Sequence, residues 1–346
     1  MGRVSKIKIV ATLGPASSSE TVLRKMIFSG LDVVRLNFSH GSFDAHLERV
    51  NLIRNLNKKY HRAIKIMQDL EGYRIRVGKL KKPLELRKRQ VFYLSKEKIK
   101  KERFIPIDYQ GSLASIKKGQ FIYIDDARLI LKVAETTKET LKAEVVLGGV
   151  ISSHKGINIP GFNIDYQGLT PKDKTSLEFA FKFKPDFIAQ SFVREAGDIL
   201  ILKDFIRDKL PDCKVIAKIE NKMALRNIDE IIEVSDLVMV ARGDLGICLP
   251  FYQVPFIQKE IIRKAKKRRK EVIVATQMLE SMTENFFPTR AEVSDVVNAI
   301  LDGAGFLLLS GETAVGENPP RVVEVMNKII NYTLSYSKPS PNLDKT

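Results

Sequence analysis

Eight short apolar runs, recurring with helical stretches between most of them, constrain this chain more than any other feature. They fall at residues 6–13 (KIKIVATL), 32–38 (DVVRLNF), 64–70 (IKIMQDL), 187–193 (FIAQSFV), 214–220 (KVIAKIE), 237–241 (LVMVA), 272–276 (VIVAT) and 305–310 (GFLLLS). Near-continuous Val, Ile and Leu over so few residues marks a strand buried on both faces, as in a parallel sheet covered by helices. Helix starts lie between the runs. Ser17, Ser18 and Ser19 precede ETVLRKMI, and Thr170 stands as an N-cap with Pro171 at N1 and Asp173 at N3. Eight is the strand count of a closed (β/α)8 barrel, although an open doubly wound sheet satisfies the periodicity as well.

The spacing breaks once, between the third run and the fourth. Residues 78–160 carry short alternating pieces instead, QVFYLS, QFIYIDD, LILKVA and LKAEVVL, which read as a small antiparallel β-barrel domain. An insertion after a strand sits over the carboxyl face of a barrel, where barrel active sites lie, so this domain is placed as a lid. The chain returns through SSHKGINIPG (152–161), a Gly and Pro hinge. The organisation read from this is a catalytic barrel over 1–77 and 161–336, a lid over 78–160, and a polar tail over 337–346.

Charge is concentrated in the lid. From Lys79 to Pro160 there are 18 Lys plus Arg against 9 Asp plus Glu, about half of the whole chain's net charge of +17. A basic lid raises the local concentration of anionic substrates, and a solvated Lys-rich surface is the plainer reading. KAKKRRK (264–270) has the composition of a nucleic-acid patch, but it is read as a helix end, where cations suit the helix dipole, on the face away from the chemistry. No nucleic-acid partner is expected. No apolar run approaches a membrane span, and MGRVSKIKIVATLG has neither a signal-peptide core nor the Ser or Thr that a myristoylation motif needs at Lys6. With only Cys213 and Cys248 present, both beside apolar strand residues, a reducing cytoplasm is the expected setting.

Two runs end abruptly in charge. VIAKIEN (215–221) presents Lys218 and Glu220 two residues apart on one side of a strand, and MVARGDLG (239–246) places Asp244 at the opening of a turn. An ammonium between two carboxylates can hold a divalent metal and a phosphate together, which is the equipment of phosphoryl transfer. Glu220 and Asp244 are oxygen ligands of the kind Mg²⁺ prefers. Arg35 ends the second run and Arg76 lies past the third, so both guanidinium groups can point into the barrel mouth, where their forked donors suit phosphate. A Thr such as Thr276 in a VIVAT strand is otherwise an ordinary β residue, and no Walker motif is present.

Together with TLGPAS (12–17), VVRLNFSHG (33–41), ATQMLESM (275–282), PTRAEVSDVVNAILDGA (288–304) and LSGETAVG (309–316), these stretches resemble the pyruvate kinase family in that family's own order, from Lys6 to about residue 330. The resemblance implies the closed barrel and a reaction in which phosphoenolpyruvate and ADP give pyruvate and ATP, with Mg²⁺ (or Mn²⁺) held by Glu220 and Asp244. Lys218 would neutralise the phosphoryl group in transfer and the enolate oxygen left behind. Free N–H groups at Gly243 and Asp244, opening a short helix, would bind the substrate carboxylate. Thr276, with Ser310 and water, would pass the proton that completes pyruvate. Pro15, Asn37, His40, Arg76, Asp126 and Lys155 would lie near the nucleotide, and Asn37, Ser39, Asp69 and the Leu70 backbone would form a monovalent-cation site.

Several positions depart from the family pattern. Its Lys-Gly-Pro-Glu or Gln-Gly-Pro-Lys is Glu71, Gly72, Tyr73, Arg74 here; its Asp-Asp-Gly is Asp125, Asp126, Ala127; the first Lys of its Lys-Lys-Gly is His154; and its Gln-Glu-Gly after IEN is Lys222, Met223, Ala224. Members with Glu at the position of Arg74 depend on K⁺ and members with Lys there do not, so the resemblance implies that K⁺ is not required; pairing of Arg74 with Glu71 at the surface is the alternative. The C-terminal regulatory domain of the family has no counterpart in the sequence, which leads to the expectation of a homodimer through the barrel, at PTRAEVSDVVNA with Phe286 and Phe287, and of no sugar-phosphate activation. A lyase or aldolase on a related barrel would keep Glu220 and Asp244 without needing both Arg35 and Arg76. A non-catalytic sensor would have no need of Lys218 and Thr276.

Overall fold

The computed structural model describes residues 7–96, 99, 103–109, 111–162, 166 and 168–336. Lys6, where the first run was placed to begin, and the polar stretch 337–346 lie outside the described residues. The eight runs form eight parallel strands: β1 (Lys8–Thr12), β2 (Val33–Asn37), β3 (Lys65–Asp69), β4 (Phe187–Gln190), β5 (Lys214–Ile219), β6 (Leu237–Ala241), β7 (Glu271–Ala275) and β8 (Phe306–Leu309). Each pairs with the next, and β8 pairs back to β1 with Lys8 opposite Phe306. Closure of that ladder excludes the open sheet.

The strands are apolar throughout because both faces are covered. Val10, Val33, Met67, Phe187, Ile216, Met239, Ile273 and Phe306 fill the barrel interior, while the alternate residues pack under the helices. The fourth strand is shorter than the run FIAQSFV. It ends at Gln190 because Ser191 and Phe192 turn away into the site, with Phe192 at a left-handed φ of 56°.

Helix boundaries follow local chemistry. Ser19 caps helix Glu20–Ser29 by accepting from the Val22 N–H, and Thr170 caps Pro171–Phe183 in a reciprocal pair with Asp173. KAKKRRK closes helix Val254–Lys267 and leads into the first residue of β7, so it lies at the amino end of the strands. Three of its six cations are engaged locally: Lys264 and Arg268 pair with Asp229, and Lys270 donates to the Ser235 carbonyl.

Between β3 and β4 the chain builds a second body with its own core, in which Phe92, Leu94, Ile105, Ile122, Leu131 and Val145 are buried. Its six-stranded sheet is antiparallel except for one parallel pair, Val91–Ser95 with Phe104–Pro106, and a two-stranded sheet lies beside it. The sheet curls, but among the described residues no ladder joins its outer strands, Ile157–Asn158 and Phe104–Pro106. The two chain crossings between the bodies are zipped to each other: the Ile157 N–H donates to the Ile75 carbonyl at 2.7 Å, and the Val77 N–H to the Lys155 carbonyl at 2.8 Å. Gly72 opens the first crossing at φ 67°, where a Cβ would lie 2.9 Å from the Ser191 carbonyl, so no other residue fits the turn.

Candidate active site

Along three strands the inner row that fills the barrel runs out in charge at the carboxyl end. Val33 is followed on its face by Arg35, Met67 by Asp69 and Ile216 by Lys218, since side chains two apart share a face. Closing the barrel brings these charges together. Lys218 Nζ lies 3.0 Å from Asp69 Oδ1 and 3.1 Å from Glu220 Oε1, and donates to Ser191 Oγ at 2.6 Å. Arg35 Nε donates to the other oxygen of Asp69 at 2.6 Å and its Nη1 to Thr12 Oγ1 at 2.9 Å. The two carboxylates that flank the ammonium are therefore Asp69 and Glu220, rather than Glu220 and Asp244.

Proton affinities follow from this arrangement. Burial alone would depress the Lys218 ammonium, but Asp69 and Glu220 outweigh it and raise its pKa above the ordinary lysine value. Burial would likewise raise Asp69, and the flanking Lys218 and Arg35 carry it below the usual carboxylate range instead. Glu220 is pushed up to about 7 by burial, with the neighbouring Asp244 carboxylate adding to the rise and Lys218 only partly opposing it.

Asp244 opens helix Arg242–Cys248, and its Oδ1 is buried without a hydrogen bond; an ion pair to Arg74 Nη2 lies at 3.4 Å. Two adjacent carboxylates, the buried Glu220 raised toward neutrality and the half-buried Asp244 with an oxygen that lacks a hydrogen bond, fit a hard divalent cation that takes few protein ligands and leaves positions for substrate oxygens. Among the described residues no group of three or more His, Cys, Asp or Glu could hold a metal, so these two acids would be the main protein ligands.

At the end of the neighbouring strand, Thr276 follows β7 in a left-handed conformation, φ 71°. Its Oγ1 donates to the Ala275 carbonyl and accepts from the Gly243 N–H at 2.8 Å, so that N–H is engaged rather than free. Arg242 fixes the turn, donating to the Thr276 carbonyl at 2.6 Å while pairing with Asp295 at 2.7 Å. Ser310 lies at the end of β8 with its N–H on Glu312; no hydrogen bond joins its hydroxyl to Thr276 among the described residues.

Residues 4–323 match the family model for the pyruvate kinase barrel domain. A pyruvate kinase of Thermococcus litoralis is 43% identical over 333 residues, 96% of this chain and 70% of that protein, and one of Thermotoga maritima is 42% identical over 93% of this chain and 70% of its own length. A Staphylococcus epidermidis pyruvate kinase is 40% identical over 94% of this chain and 56% of its own. The chain belongs to the pyruvate kinase family.

Of the residues that the family motifs single out for nucleotide, the structure ties several to the inserted body. Arg76 pairs with Glu71 at 2.8 Å and donates to the His154 carbonyl at 3.1 Å. Lys155 pairs with Asp125 at 2.9 Å, and Asp126 with Arg74 at 2.9 Å. Pro15 and His40 are exposed; loss of water around the His40 ring, then the positive charges of Arg76 and Arg35, lower its pKa. In the monovalent-cation group, Asn37 Oδ1 accepts from the Ser39 N–H, the Leu70 carbonyl accepts from Ser191 Oγ, and Asp69 is taken by Lys218 and Arg35. Arg74 does not pair with Glu71. Glu71 is claimed by Arg76 and Lys172, and the Arg74 fork instead joins Asp126 of the lid to Asp244 of the barrel.

Three contributors escaped the sequence reading: Asp69 as the anion beside Lys218, Ser191 as its hydroxyl partner, and Arg242 as the clamp on the Thr276 turn. The available signal was the same as for Lys218, a polar residue ending a buried apolar run. Asp69→Asn should destabilise the fold by about 3 kcal/mol, because it leaves the buried Lys218 and the partly buried Arg35 short of an anion. Urea denaturation measures this, and a loss below about 1 kcal/mol, as for an exposed pair, would show that the cations do not depend on Asp69.

Proposed function

We propose that this chain transfers the phosphoryl group of phosphoenolpyruvate to ADP, giving pyruvate and ATP, at the carboxyl face of its barrel and beneath the inserted β body acting as a lid. The observation that carries the reading is the Lys218 ammonium, held charged between Asp69 and Glu220 with Asp244 alongside. Glu220 and Asp244 would hold Mg²⁺ or Mn²⁺, which when bound supplies positive charge to the phosphoryl and carboxylate oxygens. Lys218 neutralises charge on the moving phosphoryl group and on the enolate oxygen left behind, and Arg35, anchored through Asp69 and Thr12, presents its remaining donors to phosphate. Arg76 meets the nucleotide phosphates, with Pro15, Asn37, His40, Asp126 and Lys155 around the rest of ADP.

Thr276 is hydrogen-bonded to the Gly243 N–H beside the place where the substrate carboxylate and methylene carbon would lie. Its hydroxyl, with Ser310 and water, delivers the proton to the enolate, and the Gly243 and Asp244 amides receive the carboxylate once Thr276 turns to substrate. The lyase and aldolase alternative leaves the Arg35 anchor without a purpose. Free thiols at Cys213 and Cys248 support a reducing, cytoplasmic setting, and no helix among the described residues is long and apolar enough to cross a membrane.

Lys218→Met should lower kcat by several orders of magnitude with little change in substrate affinity, since the charge matters most in the transition state. Equal turnover in a coupled ATP assay would remove this site from the chemistry.

Potassium is not required in this reading, because Arg74 supplies a tethered positive charge beside Asp244, and because Asp69 and the Leu70 carbonyl already have partners. Activity with Mg²⁺ alone should rise little on adding K⁺ at constant ionic strength, and Arg74→Glu should create a dependence. A gain of about tenfold or more in the wild type, roughly 1.4 kcal/mol, would end the idea.

A homodimer through the barrel is supported by the exposed rings of Phe286 and Phe287 beside helix Arg290–Asp302. Sedimentation should give a dimer at micromolar concentration; a stable tetramer or a monomer would contradict it.

A further inference from the structure

A cavity of about 130 Å³ opens where the lid crossings meet the barrel, with Ser191, Glu220 and Asp244 in its wall. Its walls are largely apolar: Tyr73, Ile157, Phe162, Tyr166, Phe192 and Met223. Tyr73 and Tyr166 stack on each other at 4.6 Å, giving one wall a flat aromatic face. Two of the sequence departures from the family pattern, Tyr73 and the Lys222-Met223 pair, line this one space, though they lie far apart in the chain.

Two oxygens of the wall residues lack a hydrogen bond, Asp244 Oδ1, which has the Arg74 ion pair at 3.4 Å, and the amide oxygen of Gln190, which has no partner. Gln190 ends β4 with only 5% of its surface exposed, it lines the cavity, and its Oε1 has no hydrogen-bond partner. A buried amide oxygen in that state costs free energy until a donor reaches it. Four acids in the wall outnumber its two cations, Arg194 and Lys222: Asp198 is paired with Arg194, Asp173 accepts from Thr170 and the Gly72 N–H, and Glu220 and Asp244 close the inner end. An anion is thereby disfavoured. The thiol of Cys248, raised to about 11 mainly by burial, stays neutral.

We propose that this cavity, which adjoins the substrate positions at Glu220 and Asp244, is a ligand site for a single uncharged aromatic ring bearing an O–H or N–H donor. The ring would lie against the tyrosine face and the donor would reach Gln190 Oε1. Its size is right, since an apolar cavity of about 150 Å³ takes up one benzene. Because both chain crossings, 73–75 and 157–162, share the wall with the barrel residues Gln190, Phe192 and Met223, an occupant ties lid to barrel and restrains the hinge.

The test needs no activity and so stands apart from the phosphoryl-transfer reading. Phenol and fluorobenzene, alike in size but only the first a donor, are titrated into the metal-free chain by ligand-observed NMR. Phenol should bind about tenfold more tightly than fluorobenzene, the worth of one good hydrogen bond. Gln190→Met should abolish that difference, and Met223→Trp, which fills the space from a different element, should abolish binding of both. Phenol should also slow hydrogen exchange at the Ile157 and Phe162 amides. No binding at tens of millimolar, or binding that neither substitution alters, overturns the proposal.

Discussion

Taking the Lys218 ammonium out of water costs several kcal/mol even after relaxation, and the barrel offsets that with anions at 3.0 and 3.1 Å on either side. The rest of the site follows from this requirement. Asp69 must lie on a neighbouring part of the ring, so it needs a second cation for its other oxygen, which Arg35 provides. Glu220 faces Asp244 as well as Lys218, and Asp244 in turn meets Arg74. Three cations, Lys218, Arg35 and Arg74, stand against three acids, Asp69, Glu220 and Asp244.

Arg74 gives the lid a direct electrostatic link to that balance. The same guanidinium touches Asp126 above and Asp244 below, and it packs against the backbone at Gly156, where a Cβ would lie 2.3 Å from its Nε. Glu71 is drawn into a different pairing, with Arg76 and Lys172, so adjacent charges in one short loop serve separate walls of the cleft. The inserted body and the electrostatics of the barrel floor are therefore joined through one side chain.

The barrel strands were legible because burial on both faces leaves a run of apolar, β-branched residues that few other contexts produce. Lys218, Glu220, Arg35 and Asp244 were legible because a charge ending such a run is costly without a purpose. The pairing of those charges was not. Asp69 is 149 residues from Lys218, Arg242 is 53 from Asp295, and Arg74 is 52 from Asp126, so each contact is created only by closure of the ring or of the lid. Sequence spacing described what each strand end carries; the choice of partner is a property of the circle. The early end of β4 has the same origin, since Phe192 leaves the ladder to place its N–H on Glu220.

Placing the second body between β3 and β4 also has a consequence for how the chain reaches its native state. The Ile66 N–H and the Asp186 carboxylate that join these two strands are 120 residues apart, a long loop to close in an unfolded chain. Once the inserted body has formed on its own core, its two ends are already held together by the Ile75 to Ile157 and Val77 to Lys155 hydrogen bonds. The loop is then short in effect, and β3 can find β4 almost as a local neighbour. Assembly of the inserted body ahead of the ring turns the least local pairing between consecutive strands into one of the easier ones, so mutations in its core should slow barrel closure rather than merely loosen the cleft.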